Sequence, residues 1–257
     1  MSKVVFITGA AKGIGRALAE KFASLKYDII INYLNSQKEA QELQKELEKK
    51  YIVKVTLLHG DISNDEDVLK MKEEIKEKYR EIDILINNAA YQQDELLVNK
   101  NKQEFMRTLE VNVYGTFAIT KCISDIIKNN GTILNISSTD SIDTYNELCT
   151  DYAASKAGVN ILTKIFAQTF PRIKVLGIIL PWIETEVVKE MDKEYLASEL
   201  RRTGQNRLLT PREVAEKVNC AIIDQKNRSG DLIFIKEDYN GFREFKKRSR
   251  RENARNI

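Results

Sequence analysis

The strongest constraint on the fold of this chain is a regular alternation of short apolar runs with stretches in which apolar residues recur at helical spacing. The first run covers residues 4–8, and Ile14, Leu18 and Phe22 follow it at intervals of four residues. The same pattern predicts further strands at 28–33, 54–59, 82–87, 131–137, 174–180 and 231–235. It predicts helices at about 36–50, 65–79, 102–128, 152–170 and 186–202, and one more that Thr210 and Pro211 begin.

This alternation indicates parallel strands with helices on both faces, because a crossover connection must lie between two parallel strands. The strands are continuously apolar, as expected where both faces of a sheet are covered. No linker rich in Pro, Gly or Ser and no internal repeat interrupts the pattern. We therefore expect a single α/β domain over residues 1–242, a doubly wound Rossmann-type fold with a seven-stranded, mostly parallel sheet.

Residues 243–257 form a basic tail. The segment holds seven basic and two acidic residues, so it carries +5, whereas the net charge of the whole chain is only +3. Such a run is most often a solvated terminus, and it also suits an acidic partner such as a carrier protein. Basic residues and aromatic residues are not interleaved elsewhere, so we do not expect nucleic-acid binding.

Several sequence features limit the classes of protein to which this chain can belong. No apolar run approaches the about 18–20 residues that span a bilayer. The first strand begins at residue 4, which leaves no room for a cleavable signal. Three separated cysteines and a single histidine, His59, argue against a disulfide framework and against a metal site. We expect a cytoplasmic protein with no metal and no membrane partner.

The connection between the first strand and the first helix is glycine-rich, with the sequence Thr8-Gly9-Ala10-Ala11-Lys12-Gly13-Ile14-Gly15. Glycines allow a sharp turn and let backbone N–H groups approach a pyrophosphate at the positive end of a helix. The spacing differs from the common G-x-G-x-x-G pattern, and an ordinary strand–helix turn could have this composition. Its place after the first strand of a parallel sheet favours nucleotide binding.

Tyr152 and Lys156 are four residues apart in a predicted helix and therefore share a face. Such a pair often lies on a surface by accident. Here the helix follows the strand that ends at Ser138, at the edge where parallel sheets bind ligands. A phenol has a pKa near 10, and a neighbouring ammonium group together with the positive ring of a bound nicotinamide cofactor is expected to lower it toward neutral pH. The pair therefore suits proton transfer to a carbonyl oxygen.

These motifs together resemble the short-chain dehydrogenase/reductase family over about residues 3–235. The family's T-G-x-x-x-G-x-G, N-N-A-G, catalytic serine and Y-x-x-x-K motifs correspond in order to residues 8–15, 87–90, 138 and 152–156, with Ala90 in place of a glycine. The resemblance implies that Ser138 hydrogen-bonds the substrate oxygen and that Tyr152 donates or accepts the proton. It also implies that Lys156 holds the nicotinamide ribose and that Asn112 fixes a water molecule connected to Lys156.

The resemblance also implies a set of cofactor contacts, among which Asp61 and Ile62 would lie beside the adenine. The whole set is Gly9, Lys12, Gly13, Ile14, Gly15, Asn35, Asp61, Ile62, Asn88, Ala89, Ala90, Tyr152, Lys156, Pro181, Ile183 and Thr185.

The end of the second strand, residues 32–36, has no carboxylate to bond a ribose 2′-OH, and Lys12 could place a cation at a 2′-phosphate. A solvated lysine in the loop would look the same. In the resembled family a basic residue at this position goes with NADP(H), so we expect NADP(H) to be preferred over NAD(H).

The sequence departs from the family after the sixth strand, where Pro181 is followed by Trp182 rather than glycine. Either the glycine is deleted, so that Ile183 and Thr185 keep their nicotinamide contacts, or Trp182 replaces it and crowds the ring. The family's terminal glycine pair is also missing at residues 235–238.

The expected function is NADP(H)-dependent interconversion of a ketone and an alcohol. Residues 94–97 and 207–211 resemble bacterial 3-oxoacyl-[acyl-carrier-protein] reductases, so the substrate would be a small carbonyl compound, free or bound to a carrier protein. An acidic segment at 139–151 instead favours a sugar or another polar alcohol, and a cofactor-sensing protein without catalysis is a third interpretation.

The apolar face of the helix at 186–202 could be a lid over the substrate or a static surface. Relatives of this kind form homodimers or homotetramers through helices near 102–128 and 152–170.

Overall fold

A computed structural model describes residues 2–142 and 146–237 of the chain. Within them, seven parallel strands form one sheet in the order β3-β2-β1-β4-β5-β6-β7. The strands are β1 (Lys3–Ile7), β2 (Tyr27–Tyr33), β3 (Val55–His59), β4 (Ile82–Asn87), β5 (Ile127–Ser138), β6 (Lys174–Leu180) and β7 (Leu232–Phe234). The expected doubly wound, seven-stranded sheet is confirmed, and every described strand pair is parallel.

Nine α-helices lie among the described residues and connect or flank these strands. They are α1 (Gly13–Ser24), α2 (Gln37–Tyr51), α3 (Asp65–Lys78), α4 (Lys102–Leu109), α5 (Thr116–Ile123), α6 (Thr150–Thr169), α7 (Glu186–Lys189), α8 (Lys193–Thr203) and α9 (Pro211–Ile223). None of these helices is long and apolar enough to cross a membrane. The expected basic tail at 243–257 lies outside the described residues.

Alternate residues of each strand pack on opposite faces of the sheet, so both faces are apolar. Val5 and Ile7 of β1 pack with α1, α2 and α9, whereas Val4 and Phe6 pack with α3, α5 and α6. The predicted start of α9 is confirmed, since Thr210 and Glu213 form a reciprocal cap with Pro211 in the first turn.

Two predicted helices are interrupted. The stretch expected as one helix at 102–128 contains a π-helical turn at Glu110–Gly115, and β5 already begins at Ile127. The stretch expected at 186–202 is two helices, because the Asp192 side chain accepts a hydrogen bond from the Tyr195 N–H (2.8 Å) and starts α8. Both interruptions depend on local hydrogen bonds, which apolar periodicity does not report.

A buried ion pair joins the loop after β4 to the first turn of α6. Lys100 Nζ lies 3.2 Å from Asp151 Oδ1, and the side chains are 3% and 1% exposed. Thr108 Oγ1 donates to Asp151 Oδ2 (2.6 Å), and Lys100 donates to the Gln93 carbonyl (2.5 Å). Asp151, part of the acidic segment expected to make the substrate site polar, is therefore paired inside the protein.

We expect Lys100→Met to lower the free energy of unfolding by about 3–5 kcal/mol, because it leaves the Asp151 carboxylate buried without a countercharge. Chemical denaturation followed by circular dichroism measures this loss. Lys102→Met is the control: Lys102 is exposed two residues further on, and its loss should change the stability by less than about 0.5 kcal/mol. Equal stability of the two variants would contradict the assignment.

Candidate active site

The candidate site lies where β1 and β4 are adjacent and their connections leave in opposite directions. The neighbours of β1 in the sheet are β2 on one side and β4 on the other. The connections at the ends of β1 and β4 therefore lead away from each other, and a crevice opens beyond the carboxyl ends of these two strands. Thr8 Oγ1 accepts hydrogen bonds from the N–H groups of Asn88 and Ala89, both 3.0 Å. The Asn88 amide donates in turn to the carbonyls of Thr8 (2.9 Å) and Gly9 (3.0 Å). These bonds fix the glycine loop to the end of β4.

Two of the loop glycines are required by close contacts. Gly9 has a φ of +60°, and a Cβ there would lie 2.8 Å from Ala89 Cα. A Cβ on Gly15 would lie 2.5 Å from the Gly9 carbonyl oxygen and 2.6 Å from Asn88 Nδ2. The loop therefore folds tightly onto itself and onto the end of β4.

The first turn of α1 can receive an anion. The helix begins at Gly13, and no side chain of the described residues caps it at Lys12. The backbone N–H groups of Gly13, Ile14 and Gly15 are among those left without an intrahelical partner. A pyrophosphate would find both these donors and the positive end of the helix dipole, so the residues present fit a dinucleotide.

Lys12 lies between the glycine loop and the start of α2. Its ammonium group is 2.7 Å from Glu39 Oε1, and this partner raises the pKa of Lys12. Asn35 is exposed at the nearby turn after β2. The structure thus places an acid, Glu39, beside the cation that was predicted to face a 2′-phosphate.

Asp61 and Ile62 follow β3, as expected for residues near an adenine. Arg107 of α4 donates to Asp61 Oδ2 (2.7 Å), while the Ser63 N–H (2.9 Å) and hydroxyl (2.6 Å) donate to Asp61 Oδ1. Burial opposes ionisation of this carboxyl, but the bonds from Ser63 and Arg107 prevail and lower its pKa. Ile62 is buried against Gly115.

Tyr152 and Lys156 lie one turn apart near the start of α6. The Lys156 side chain is buried under the ends of the strands, where Nζ donates to the Ile136 carbonyl (2.9 Å) and lies 5.5 Å from the centre of the Tyr152 ring. Burial lowers the pKa of Lys156 to about 8. The pKa of Tyr152 is raised, first by burial and next by Asp140. Burial is thus the largest influence on the Tyr152 pKa among the protein's own groups. The expected fall also depends on the positive nicotinamide ring of the bound cofactor, and it stays a prediction.

Ser138 ends β5, and its hydroxyl lowers the pKa of Tyr152 against the larger effect of burial. Ser138 Oγ donates to Asp140 Oδ2 (3.0 Å). Ser137 is buried, and its hydroxyl donates to the Lys156 carbonyl (3.2 Å). The geometry agrees with assigning the substrate contact to the second serine.

Asn112 lies in the π-helical turn between α4 and α5, a type of irregularity that is frequent at functional sites. Asn112 Nδ2 donates to the Tyr91 carbonyl and to Ser155 Oγ, both 2.9 Å, and Oδ1 accepts from the Tyr91 N–H (2.7 Å). Both amide hydrogens are used within the protein. The water predicted here would therefore have to donate to the remaining lone pair of Oδ1.

The segment after β6 is held against the body of the protein. Gln205 accepts from the Trp182 N–H (2.9 Å) and donates to the Trp182 carbonyl (2.7 Å). Ile183 is buried and pairs with Leu209, while the Thr185 hydroxyl caps α7. Pro181 and Trp182 are both half-buried at the crevice end of β6. The three predicted residues Pro181, Ile183 and Thr185 thus follow the strand as expected.

Tyr195 of α8 shares several electrostatic neighbours with Tyr152. Burial raises the pKa of Tyr195 to about 12, and Glu199, Cys149, Asp94 and Asp140 contribute to this rise. The last three also raise the pKa of Tyr152. The role of this helix as a lid stays a prediction.

Two residues that organise the crevice escaped the sequence analysis. Asn32 is buried at the end of β2, where its Oδ1 accepts from the Gly9 N–H (3.2 Å) and its Nδ2 donates to the Gly60 carbonyl (2.9 Å). Arg107 approaches Asp61 from an element distant in sequence. Asn32 could have been predicted, because it is a polar residue within an apolar strand. No feature of the sequence around Arg107 indicates that it contacts Asp61.

Comparisons with known proteins show the family of this chain. The family model of the short chain dehydrogenases matches residues 3–196. A 3-oxoacyl-[acyl-carrier-protein] reductase of Thermotoga maritima is 33% identical over 91% of this chain and 96% of its own length. Glucose 1-dehydrogenase 2 of Bacillus subtilis is 29% identical over 91% of this chain and 93% of its own length.

Solved structures share the fold. A dehydrogenase/reductase from Sinorhizobium meliloti superposes with a TM-score of 0.84 at 25% identity, covering 93% of this chain and 96% of that one. A short-chain dehydrogenase/reductase variant of Serratia marcescens gives the same TM-score at 23% identity over 93% of this chain and 97% of that one. With the crevice, the glycine loop and the Ser138–Tyr152–Lys156 arrangement in place, the chain belongs to the short-chain dehydrogenase/reductase family, whose members bind NAD(P)(H), and it is an oxidoreductase that acts on CH–OH and C=O groups.

Proposed function

We propose that the protein is an NADP(H)-dependent reductase of small carbonyl compounds, similar in substrate to the 3-oxoacyl-[acyl-carrier-protein] reductases, with the substrate free or bound to a carrier protein. The observation that carries this proposal is the placement of Ser138, Tyr152 and Lys156 at the carboxyl edge of the sheet, next to a loop that fits a dinucleotide. Identity of 33% with the Thermotoga maritima reductase over nearly the whole chain supports the substrate class.

The nicotinamide of the bound cofactor supplies a hydride to the carbonyl carbon. The protein's task is then to bind and orient the carbonyl and to supply a proton to its oxygen. Tyr152 is protonated at neutral pH, because burial and nearby acids raise its pKa, so its hydroxyl is the proton donor. Ser138, whose hydroxyl lowers the pKa of Tyr152, helps to hold the carbonyl oxygen.

Lys156 acts on Tyr152 through the charge of its ammonium group. With a pKa of about 8, it is mostly charged at neutral pH, and its bond to the Ile136 carbonyl holds it below the Tyr152 ring. Negative charge that develops on the phenol oxygen as the proton leaves is stabilised by this ammonium group.

Lys12 supports the preference for NADP(H). It is paired with Glu39 in the first turn of α2, which follows the turn after β2, and that turn has no carboxylate between Asn32 and Ser36. Glu39 weakens this preference, since it would repel a 2′-phosphate while pairing with the lysine. Binding of the phosphate would require Lys12 to exchange Glu39 for the new anion.

A sugar or another polar alcohol is the second candidate substrate. The observation that favours it is Asp140, whose carboxylate lies beside Ser138 and can accept hydrogen bonds from substrate hydroxyls. The similarity to glucose 1-dehydrogenase 2 over most of both chains agrees with this alternative.

We also propose that the protein forms a homodimer or homotetramer. Helix α6 exposes Ile161 (55%) and Ile165 (49%) one turn apart, and Met106 (50%) and Phe117 (38%) are exposed on α4 and α5. Exposed apolar side chains grouped on adjacent helices are typical of an interface. A second copy of the chain would cover them.

Tyr152→Phe should lower the rate of carbonyl reduction by about 10²–10⁴-fold and leave NADPH binding nearly unchanged, because the ring that could contact the cofactor is kept and only the proton-donating hydroxyl is lost. Turnover with a panel of β-ketoesters and keto-sugars is followed by NADPH oxidation, and binding by NADPH fluorescence. Tyr51→Phe, at the end of α2, is the control and should behave as the wild type. Undiminished reduction by Tyr152→Phe would refute the assignment, while tight NADPH binding by a wild type that reduces nothing in the panel would favour a cofactor-sensing protein.

Lys12→Gln should lower the ratio of kcat/KM with NADPH to kcat/KM with NADH by about tenfold, through loss of a charge-assisted hydrogen bond to the 2′-phosphate. Glu39→Gln should raise the same ratio, because it removes the competing carboxylate. Lys45→Gln, exposed further along α2, should leave the ratio unchanged. If the ratio were the same in all three variants, the role given to Lys12 would be wrong.

Ile161→Asp should reduce the mass of the protein in solution to that of a smaller assembly, because a buried aspartate in an apolar interface is costly. Light scattering after size exclusion, at equal protein concentrations, measures the mass. Ile223→Asp is the matched control, since Ile223 is 67% exposed at the end of α9. A wild type that is already monomeric would contradict the proposed oligomer.

A further inference from the structure

The two segments in which this chain departs from the family pattern both contact one loop. Pro181 is followed by Trp182 rather than glycine, and residues 235–238 stand where the family has its terminal glycine pair. Residues 205–209, between α8 and α9, form hydrogen bonds to both segments, and we call them the clamp loop. The last described residue, Glu237, is thus connected to the end of β6 through one short piece of chain.

Glu237 binds the middle of the clamp loop. Its Oε1 accepts from the backbone N–H groups of Asn206 (2.9 Å) and Arg207 (3.1 Å), and its Oε2 accepts from the Asn206 side-chain amide (3.4 Å). Lys217 of α9 donates to the Glu237 carbonyl (2.7 Å) and so holds the backbone at this point. The bond from the Arg207 N–H contributes most to a lowered pKa of the Glu237 carboxyl, which therefore accepts these bonds as an anion.

The clamp loop in turn binds the segment that follows β6. Gln205 accepts from the Trp182 N–H (2.9 Å) and donates to the Trp182 carbonyl (2.7 Å) and to the Arg207 carbonyl (2.7 Å). The Leu209 carbonyl accepts from the Glu184 N–H (2.8 Å). The backbone of residues 182–184 is therefore held by the clamp loop at the crevice end of β6.

The two ends of the clamp loop have anchors of their own. The Gln205 N–H donates to the Leu200 carbonyl of α8 (2.9 Å), and the Arg207 side chain pairs with Glu213 of α9 (2.6 Å). The backbone N–H groups of residues 206 and 207 lie between these anchors and point to Glu237. Without the carboxylate this part of the loop would gain conformational freedom, and the Gln205 side chain would hold Trp182 less tightly.

We propose that Glu237 is a positioning residue for the nicotinamide end of the cofactor site. Through the clamp loop it holds residues 182–185 in the place from which they contact the nicotinamide. The inference rests on the proposed cofactor contacts of Pro181, Ile183 and Thr185, and it adds the terminal segment of the chain to the site. A segment that is held in place before binding lowers the ordering cost of binding. Loss of Glu237 should therefore weaken the nicotinamide contacts and spare the adenosine end.

The fluorescence of Trp182 tests the first half of this inference without any ligand, because Trp182 is the only tryptophan of the chain. In the full chain, Glu237→Ala should raise the constant for quenching of Trp182 by acrylamide, since local opening exposes the ring. Glu237→Gln keeps one acceptor oxygen and should raise the constant less. Gln205→Ala removes the direct bonds to Trp182 and should raise it at least as much as Glu237→Ala. Glu77→Ala, exposed near the end of α3, is the matched control and should leave it unchanged.

Calorimetric titration tests the second half with two ligands that share the adenosine end. Glu237→Ala should raise the Kd of NADPH by about three- to tenfold, the loss expected for one or two partly exposed hydrogen bonds. The Kd of adenosine 2′,5′-bisphosphate, which lacks the nicotinamide, should stay unchanged. Adding Glu237→Ala to Gln205→Ala should raise the Kd of NADPH little further, because both changes act through Trp182.

Trp182 quenching that is unchanged in Glu237→Ala would overturn the proposal, and so would equal weakening of the two ligands, which indicates a general loss of structure. Circular dichroism shows whether each variant is folded. A wild type that binds neither ligand would contradict the proposed cofactor, and the quenching series would still decide whether Glu237 holds Trp182.

Discussion

The position of β1 between β2 and β4 is the constraint on which the rest of the structure depends. Parallel strands end at the same edge, and the two connections that leave β1 and enter β4 diverge there. The edge would be an open gap without the bonds that Thr8, Asn32 and Asn88 make to the glycine loop. The gap between the diverging connections is common to sheets of this type, and here three buried or half-buried polar side chains give it a fixed shape.

Burial and charge oppose each other at the catalytic end of this crevice. Lys156 is placed where its ammonium group is only just favoured at neutral pH, since its pKa is about 8. Tyr152 is placed where its phenolate is strongly disfavoured. A proton can therefore leave the tyrosine only when charge on the reacting oxygen or the cofactor compensates. In the free site Tyr152 is therefore uncharged and holds the proton that is to be transferred.

The polar groups near the substrate edge have different roles despite their proximity in sequence. Asp151 is neutralised inside the protein by Lys100 and Thr108, and it holds the loop after β4 against α6. Asp140 faces Ser138 at the reacting end. A count of acids in this segment overstates the polarity of the substrate site. The second substrate class depends on Asp140 in particular, and not on the segment as a whole.

The sequence by itself determined the fold class, the seven strands, the glycine loop and the order of the catalytic motifs, because apolar periodicity and fixed spacing are local properties. It also placed Ser138, Tyr152 and Lys156 at one edge, since strand ends of a parallel sheet coincide. The tertiary structure alone decided the partners of these groups: Lys12 with Glu39, Asp61 with Arg107, Asn112 with Tyr91 and Ser155. Such contacts join residues that are distant in sequence, and the burial that raises the pKa of Tyr152 comes from several elements at once. Both depend on the three-dimensional packing, which no local pattern encodes.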